Sequence, residues 1–141
     1  MHLKAKLKYY YFTAIFSVIF AAVGFGYNTW RMEVSEDNNN IRTAAFEILL
    51  VLAEFEQVIY AAHYDNDKQN GSARLGWVKV GLAHDLSMLV DPQVEQKVGE
   101  LKSVWREKWP TIVQNRDHVN QLIEATDSAR EEIKRVLKTL E

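Results

Sequence analysis

The 141-residue sequence contains no cysteine, only two prolines and six glycines. Without cysteine there can be no disulfide, lipoprotein-type acylation, thiolate metal site or thiol nucleophile. Neither sign of charge dominates: 17 Lys+Arg stand against 19 Asp+Glu, a formal net charge of −2. That balance argues against bulk nucleic-acid binding, which needs a basic surface to displace counterions. Alternating strand patterns are nearly absent, and apolar residues recur instead at three- and four-residue spacing. At 48% hydrophobic and 26% charged, the composition is that of an ordered chain long enough for one domain.

One further absence is local. No charged residue occurs from Tyr9 to Trp30. At about 1.5 Å per residue such a stretch makes roughly 33 Å of helix, enough to cross a hydrocarbon core of about 30 Å. Tyr9, Tyr10 and Tyr11 flank one end, Tyr27 and Trp30 the other, the depth at which amphipathic rings settle. Lys4, Lys6 and Lys8 precede the segment, whereas Arg31 is diluted by Glu33, Glu36 and Asp37. The positive-inside rule then predicts a cytoplasmic basic tail (1–8), a transmembrane helix (9–30) and a periplasmic remainder, that is, a bacterial inner-membrane protein. Cleavage as a signal peptide is the rival expectation. It is disfavoured by the length of the apolar stretch and by the weak small-x-small site Ala22-Val23-Gly24 among bulky residues.

The segment has two unlike faces. Phe12, Ile15, Phe16, Ile19, Phe20 and Val23 gather on one side. Ala14, Ser17, Ala21, Gly24 and Asn28 gather on the other. Lipid supplies no hydrophobic drive between helices, so close approach over small residues is what permits association. The small face is therefore expected to meet another transmembrane helix, with Ser17 and Asn28 adding hydrogen bonds, while the phenylalanines meet the bilayer.

After a polar joint (31–40) rich in N-cap residues, four helices are expected, at about 41–64, 75–90, 92–109 and 110–140. The first carries Ile41, Ala44, Ile48, Val51, Phe55, Val58 and Ala62, widened by Ala45, Leu49, Leu52 and Ile59. The second is expected to bury Val78, Leu82, Leu86 and Leu89, with Trp77, Val80 and Met88 adding width, and the third Val94, Val98, Leu101, Val104 and Trp105. In the fourth, Val119, Leu122, Thr126, Ala129, Ile133, Val136 and Leu140 keep the same alternation. Asp91-Pro92 reads as a cap followed by proline at the first helical position, and Trp109-Pro110 as a break. Short connections predict an all-α fold: a single N-terminal transmembrane helix followed by a compact antiparallel four-helix bundle in residues 41–141. Whether the first bundle helix continues the membrane helix is left open by the sequence.

Chemistry-bearing patterns are few. Asp65, Asp67, Asn70 and Gly71 resemble the start of an EF-hand loop, but the glycine falls one place late and Gly76 stands where a bidentate Glu belongs. His2, His63, His84 and His118 show no metal-ligand spacing. No nucleophile elbow, phosphate loop or dinucleotide fingerprint occurs. The expectation is therefore no catalytic residue, no cofactor and no metal. Trp105, Arg106 and Trp109 form a candidate partner contact, weighed against core filling by the tryptophans.

The expected function is non-catalytic: an accessory or scaffolding subunit of a membrane complex, in contact with the lipid bilayer and with an integral membrane partner or a second copy, and not with nucleic acid. Two alternatives share the topology. The layout is similar to that of bacterial chemoreceptor sensor domains, which would imply extracytoplasmic ligand sensing. A phage-type lysis or exclusion protein is the other.

Overall fold

Residues 2–140 are described by a computed structural model. Met1, at the head of the expected tail, and Glu141 lie outside the described residues. Four α-helices follow one another: α1 (His2–His63), α2 (Ala73–Ser87), α3 (Pro92–Lys108) and α4 (Arg116–Thr139), with a 3-10 turn at Trp109–Thr111. Among the described residues there is no strand.

The chain divides into two units, Met1–Asn39 and Asn40–Glu141. In the first, the described side chains are exposed, apart from a half-buried Asn38. The hydroxyls that interrupt its apolar run bond to their own helix: Thr13 Oγ1 donates to the Tyr9 carbonyl at 2.9 Å, Ser17 Oγ to Thr13 at 2.8 Å, and Thr29 Oγ1 to Phe25 at 2.9 Å. Such back-bonding hides a hydroxyl that would otherwise be costly away from water. This helix is long and apolar enough to cross a membrane.

The polar joint at 31–40, whose continuity with the bundle helix the sequence leaves open, is helical. Ser35 and Asn38 to Asn40 are only middling helix formers, each up to about 0.7 kcal/mol worse than alanine. No glycine or proline stands among them to end the helix.

The second unit buries its core between the C-terminal part of α1 and helices α2 to α4. Ile48, Leu52, Phe55 and Ile59 from α1 meet Val94, Val98, Leu101 and Trp105 from α3, and Leu122, Ala129 and Ile133 from α4, all fully buried. The order is antiparallel. Lys79 of α2 pairs with Glu54 of α1 at 2.5 Å, and Arg130 of α4 pairs with Glu56. Arg42 Nη2 donates to the Leu140 carbonyl at 3.2 Å, and Arg135 to Gln93 at 3.2 Å, which places residues near 42, 93 and 140 at one end. His63 Nδ1 lies 2.5 Å from the Ile112 carbonyl at the other end. Ser87 and Thr126, polar residues buried in this unit, bond to the carbonyls of His84 and Leu122 in their own helices.

Caps fix the boundaries. Asp91 Oδ1 accepts from the Gln93 N–H at 2.8 Å ahead of Pro92, as the sequence implies. The last helix starts later than Pro110. That proline sits inside the 3-10 turn, and Asn115 caps α4 by accepting from Asp117 N at 3.0 Å and His118 N at 3.2 Å.

Helix α2 is rotated from the expected orientation. Its buried residues are Gly76, Val80, Ala83 and Ser87, while Val78, Leu82 and Leu89 are exposed and Leu86 is half-buried. The reason is Trp105. Its fully buried indole lies edge-on to Phe55 at 5.2 Å and to Trp77 at 6.4 Å, and the space it needs is left by Gly76. Small residues at 4-3-4 spacing let α2 lie close to α3; a leucine face would hold it off.

Candidate functional site

Surfaces, not a cleft, are where this molecule presents unusual chemistry. On the first unit, Ala14, Ser17, Ala21, Gly24 and Asn28 lie along one side of α1 by helical spacing, and all are exposed. A Cβ added at Gly24 meets nothing within 4 Å. The Ser17 proton is already given to Thr13, so this hydroxyl can accept from a neighbouring helix but has none left to donate. Asn28 differs: its carboxamide makes no hydrogen bond among the described residues. It keeps two donors and one acceptor oxygen for a partner.

No family model, curated protein or solved structure matches this chain.

On the second unit the sequence-singled tryptophans part company. Trp105 fills the core and its side chain is out of a partner's reach, so the candidate contact moves off it. Its Nε1 is buried without a hydrogen-bond partner. Arg106 is exposed, and Trp109, 37% exposed, starts the 3-10 turn. The change of helix type there carries Trp109 away from the buried stripe that ends at Trp105.

The surface that sequence reasoning missed is the outer face of α2. Val78 is 58% exposed, Leu82 43% and Leu89 65%, with Leu75 and Met88 beside them. Gly81 stands in the same face, and a Cβ there would touch nothing within 4 Å. Apolar side chains turned outward along one helix face are a candidate interaction surface when they form a contiguous patch. The missed signal was a second stripe: Gly76, Val80, Ala83, Ser87 and Val90 repeat at 4-3-4-3 spacing, and it is this smaller stripe that is buried.

The loop after α1 is held by its own polar residues. Asn66 takes φ 49°, the left-handed region that asparagine tolerates, and Asp67 N–H then reaches back to the Ala61 carbonyl at 2.9 Å. The Asp67 carboxylate accepts from Gln69 N at 2.9 Å, Asn70 N at 3.0 Å and Asn70 Nδ2 at 2.7 Å. Hydrogen bonding by the Asn70 backbone, then its side chain, then the Gln69 backbone holds this carboxyl below the usual carboxylate range. These donors occupy the oxygens that the EF-hand resemblance would have given to calcium. His118 Nδ1 lies 2.6 Å from Thr111 Oγ1, so His63 and His118 both brace the α3–α4 connection. Among the described residues no three His, Asp or Glu side chains converge.

The depressed Asp67 pKa sets a sign. Its contribution to stability is present above the unfolded value of about 3.9 and is lost as pH falls through the lower folded value. Asp67→Asn is expected to lower the melting temperature at neutral pH and to flatten its fall between about pH 5 and pH 3. Thermal melts of both proteins across that range test it; parallel curves would refute it.

Proposed function

We propose that this protein is a non-catalytic single-pass membrane protein, an accessory or scaffolding subunit that joins partners through its N-terminal helix and its helical bundle. The observation that carries the proposal is the rotation of α2, which keeps small residues inside and turns Val78, Leu82 and Leu89 outward. Full burial of such a side chain is worth roughly 1.5–3 kcal/mol, and about half of each is still in water here, so a covering partner has on the order of 1 kcal/mol per side chain to offer.

The N-terminal helix supports the same reading. Its small face leaves room at Gly24 and an unpaired carboxamide at Asn28, both suited to a second helix in lipid. Lys4, Lys6 and Lys8 on one side of the apolar segment, and Glu33, Glu36 and Asp37 on the other, favour a cytoplasmic N-terminus and a periplasmic bundle in a bacterial inner membrane.

Purification of the full chain in mild detergent, after chemical cross-linking in the membrane, tests this. A stoichiometric integral membrane partner or a second copy is expected to accompany it. Ala21→Leu and Gly24→Leu are expected to weaken the association by filling the small face, while Phe16→Leu leaves it intact. The pair Val78→Glu and Leu82→Glu is expected to reduce capture at the bundle with melting changed within about 0.5 kcal/mol per site, as at other exposed positions. A lone monomer, or equal effects from both faces of the membrane helix, would overturn the proposal.

A further inference from the structure

Within the second unit, α1 and the residue that follows it present a second outward stripe. Phe46, Leu50, Ala53, Gln57, Tyr60 and Tyr64 follow one another at 4-3-4-3-4 spacing. Phe46 is 57% exposed, Leu50 56% and Tyr64 57%, and Gln57 is exposed with no hydrogen bond among the described residues. The opposite side of the same helix supplies Ile48, Leu52, Phe55 and Ile59 to the core, so the stripe is not needed to hold the bundle together. Alternation of three and four is the pattern by which one helix seats its knobs in another.

The charges beside the stripe decide what the other helix is. We infer that it is α1 of a second copy of this chain, parallel and in register. In that arrangement the residue flanking one core position faces the residue five places on in the partner. Arg42 then meets Glu47 of the second copy, twice by symmetry. Glu47 is exposed and has no ion pair within the chain among the described residues, and Arg42 uses one of its five N–H donors on the Leu140 carbonyl. Leu49 faces the second Glu54, and the second Ala61 faces Glu56, so no like charges meet. Gln57 faces its own copy, and a carboxamide can donate to and accept from another. Glu54 and Glu56 are already paired within the chain with Lys79 and Arg130, so the orientation is decided by Arg42 and Glu47. An antiparallel pair centred on the stripe carries Arg42 and Glu47 of one copy to the Tyr60–Tyr64 end of the other, and the two Arg42–Glu47 contacts form only in the parallel register.

This pairing goes beyond the proposed function and stands on the bundle alone. It concerns a face separate from the α2 stripe, and its failure or success is read separately from that of the membrane-helix proposal. It uses the absence of native cysteine. Phe46→Cys, Leu50→Cys, Ala53→Cys and Gln57→Cys are introduced one at a time into the full chain in its membrane and oxidised gently. Each is expected to give a disulfide-linked dimer several-fold more abundant than Ser103→Cys on α3 or Gln121→Cys on α4. Cross-linking that persists when Ala21→Leu is added shows that the bundle pairs without help from the small face. Cross-linking that vanishes with Ala21→Leu overturns the inference, because the pairing then belongs to the membrane helix.

A charge test identifies the register. Arg42→Glu and Glu47→Arg chains, each carrying Leu50→Cys, are expected to cross-link poorly alone and well when co-expressed, since only the mixed pair has opposite charges at both contacts. Equal cross-linking at the α3 and α4 controls would overturn the inference. So would preferential linkage of Phe46→Cys to Tyr64→Cys in a mixed population, which is the antiparallel outcome.

Discussion

Replacing Gly76 with alanine is expected to lower the melting temperature, although the same change inside most exposed helices raises it. Alanine is favoured over glycine in a helix by about 1 kcal/mol. Here the new methyl would sit well inside van der Waals contact with Trp105 Cζ2, 2.6 Å from Cη2 and 2.9 Å from Cε2. The indole has nowhere to go, being fully buried with Phe55 5.2 Å away and Trp77 6.4 Å away. Overpacking of a filled core costs about 1–3 kcal/mol and sometimes more, which outweighs the helix gain. In a domain of this size each kcal/mol moves the melting temperature by about 4–8 °C. A larger residue, Gly76→Val, is expected to prevent folding of the bundle.

The clash also predicts a rescue. The three atoms that the methyl would strike belong to the benzo half of the indole, which phenylalanine places differently and does not fill completely. Trp105→Phe alone should destabilise by less than the roughly 3–5 kcal/mol of a Trp→Ala truncation, since it empties part of a cavity while removing an unpaired Nε1 donor. In that background Gly76→Ala should become neutral or stabilising. Thermal melts of the two single variants and the double variant close the cycle; residues in contact couple, and those that do not add independently. Additive losses would show that Gly76 is not there to make room for Trp105.

The same contact explains which parts of the fold were legible. The core stripes of α1, α3 and α4 could be read directly, because large aliphatic residues at three- and four-residue spacing face charged ones across each helix. In α2 two stripes compete, and the rule that the greasier one goes inside chooses wrongly. The deciding fact is a tryptophan on another helix, Trp105, whose volume no local pattern in residues 73–87 reveals. The sequence leaves the continuity of the helix through 31–40 open for a related reason. Asparagine and serine are good caps only where a helix ends, and nothing there ends it. Pro110 reads as a helix start in the sequence, but the Asn115 side chain offers two backbone N–H groups an acceptor and Pro110 offers none. The small face and Asn28 were visible in the sequence because a membrane-length helix has a simple periodicity. The outward faces of α1 and α2 were not, since exposure is a property of the assembled bundle.

Gly71→Ala is the second large effect, and it differs in kind from the first. Glycine in a loop usually signals a turn that needs positive φ, yet Gly71 is not in that region. What requires it is proximity. A Cβ there would crowd the Ala62 backbone nitrogen, lie 2.5 Å from Ala62 Cα, and approach the Asp67 carbonyl oxygen to 2.7 Å. All three are main-chain atoms, so no side chain can move aside. Ala62 is held in α1, and Asp67 O is fixed by the 2.9 Å bond it accepts from the Gly71 N–H. Relief must come from lifting the 64–72 loop off the helix. That would strain the Asp67 turn and the Ser72 cap of α2, whose Oγ accepts from Leu75 N at 3.3 Å. A lost cap adds about 1 kcal/mol to the overpacking penalty of about 1–3 kcal/mol, so a total of several kcal/mol is expected. Shortening the side chain at position 62, by Ala62→Gly, should give no rescue, because the obstructing atoms are backbone. That lack of rescue is what separates this glycine from Gly76. Recovery of stability in the double variant would mean that the loop is held against α1 by side chains after all.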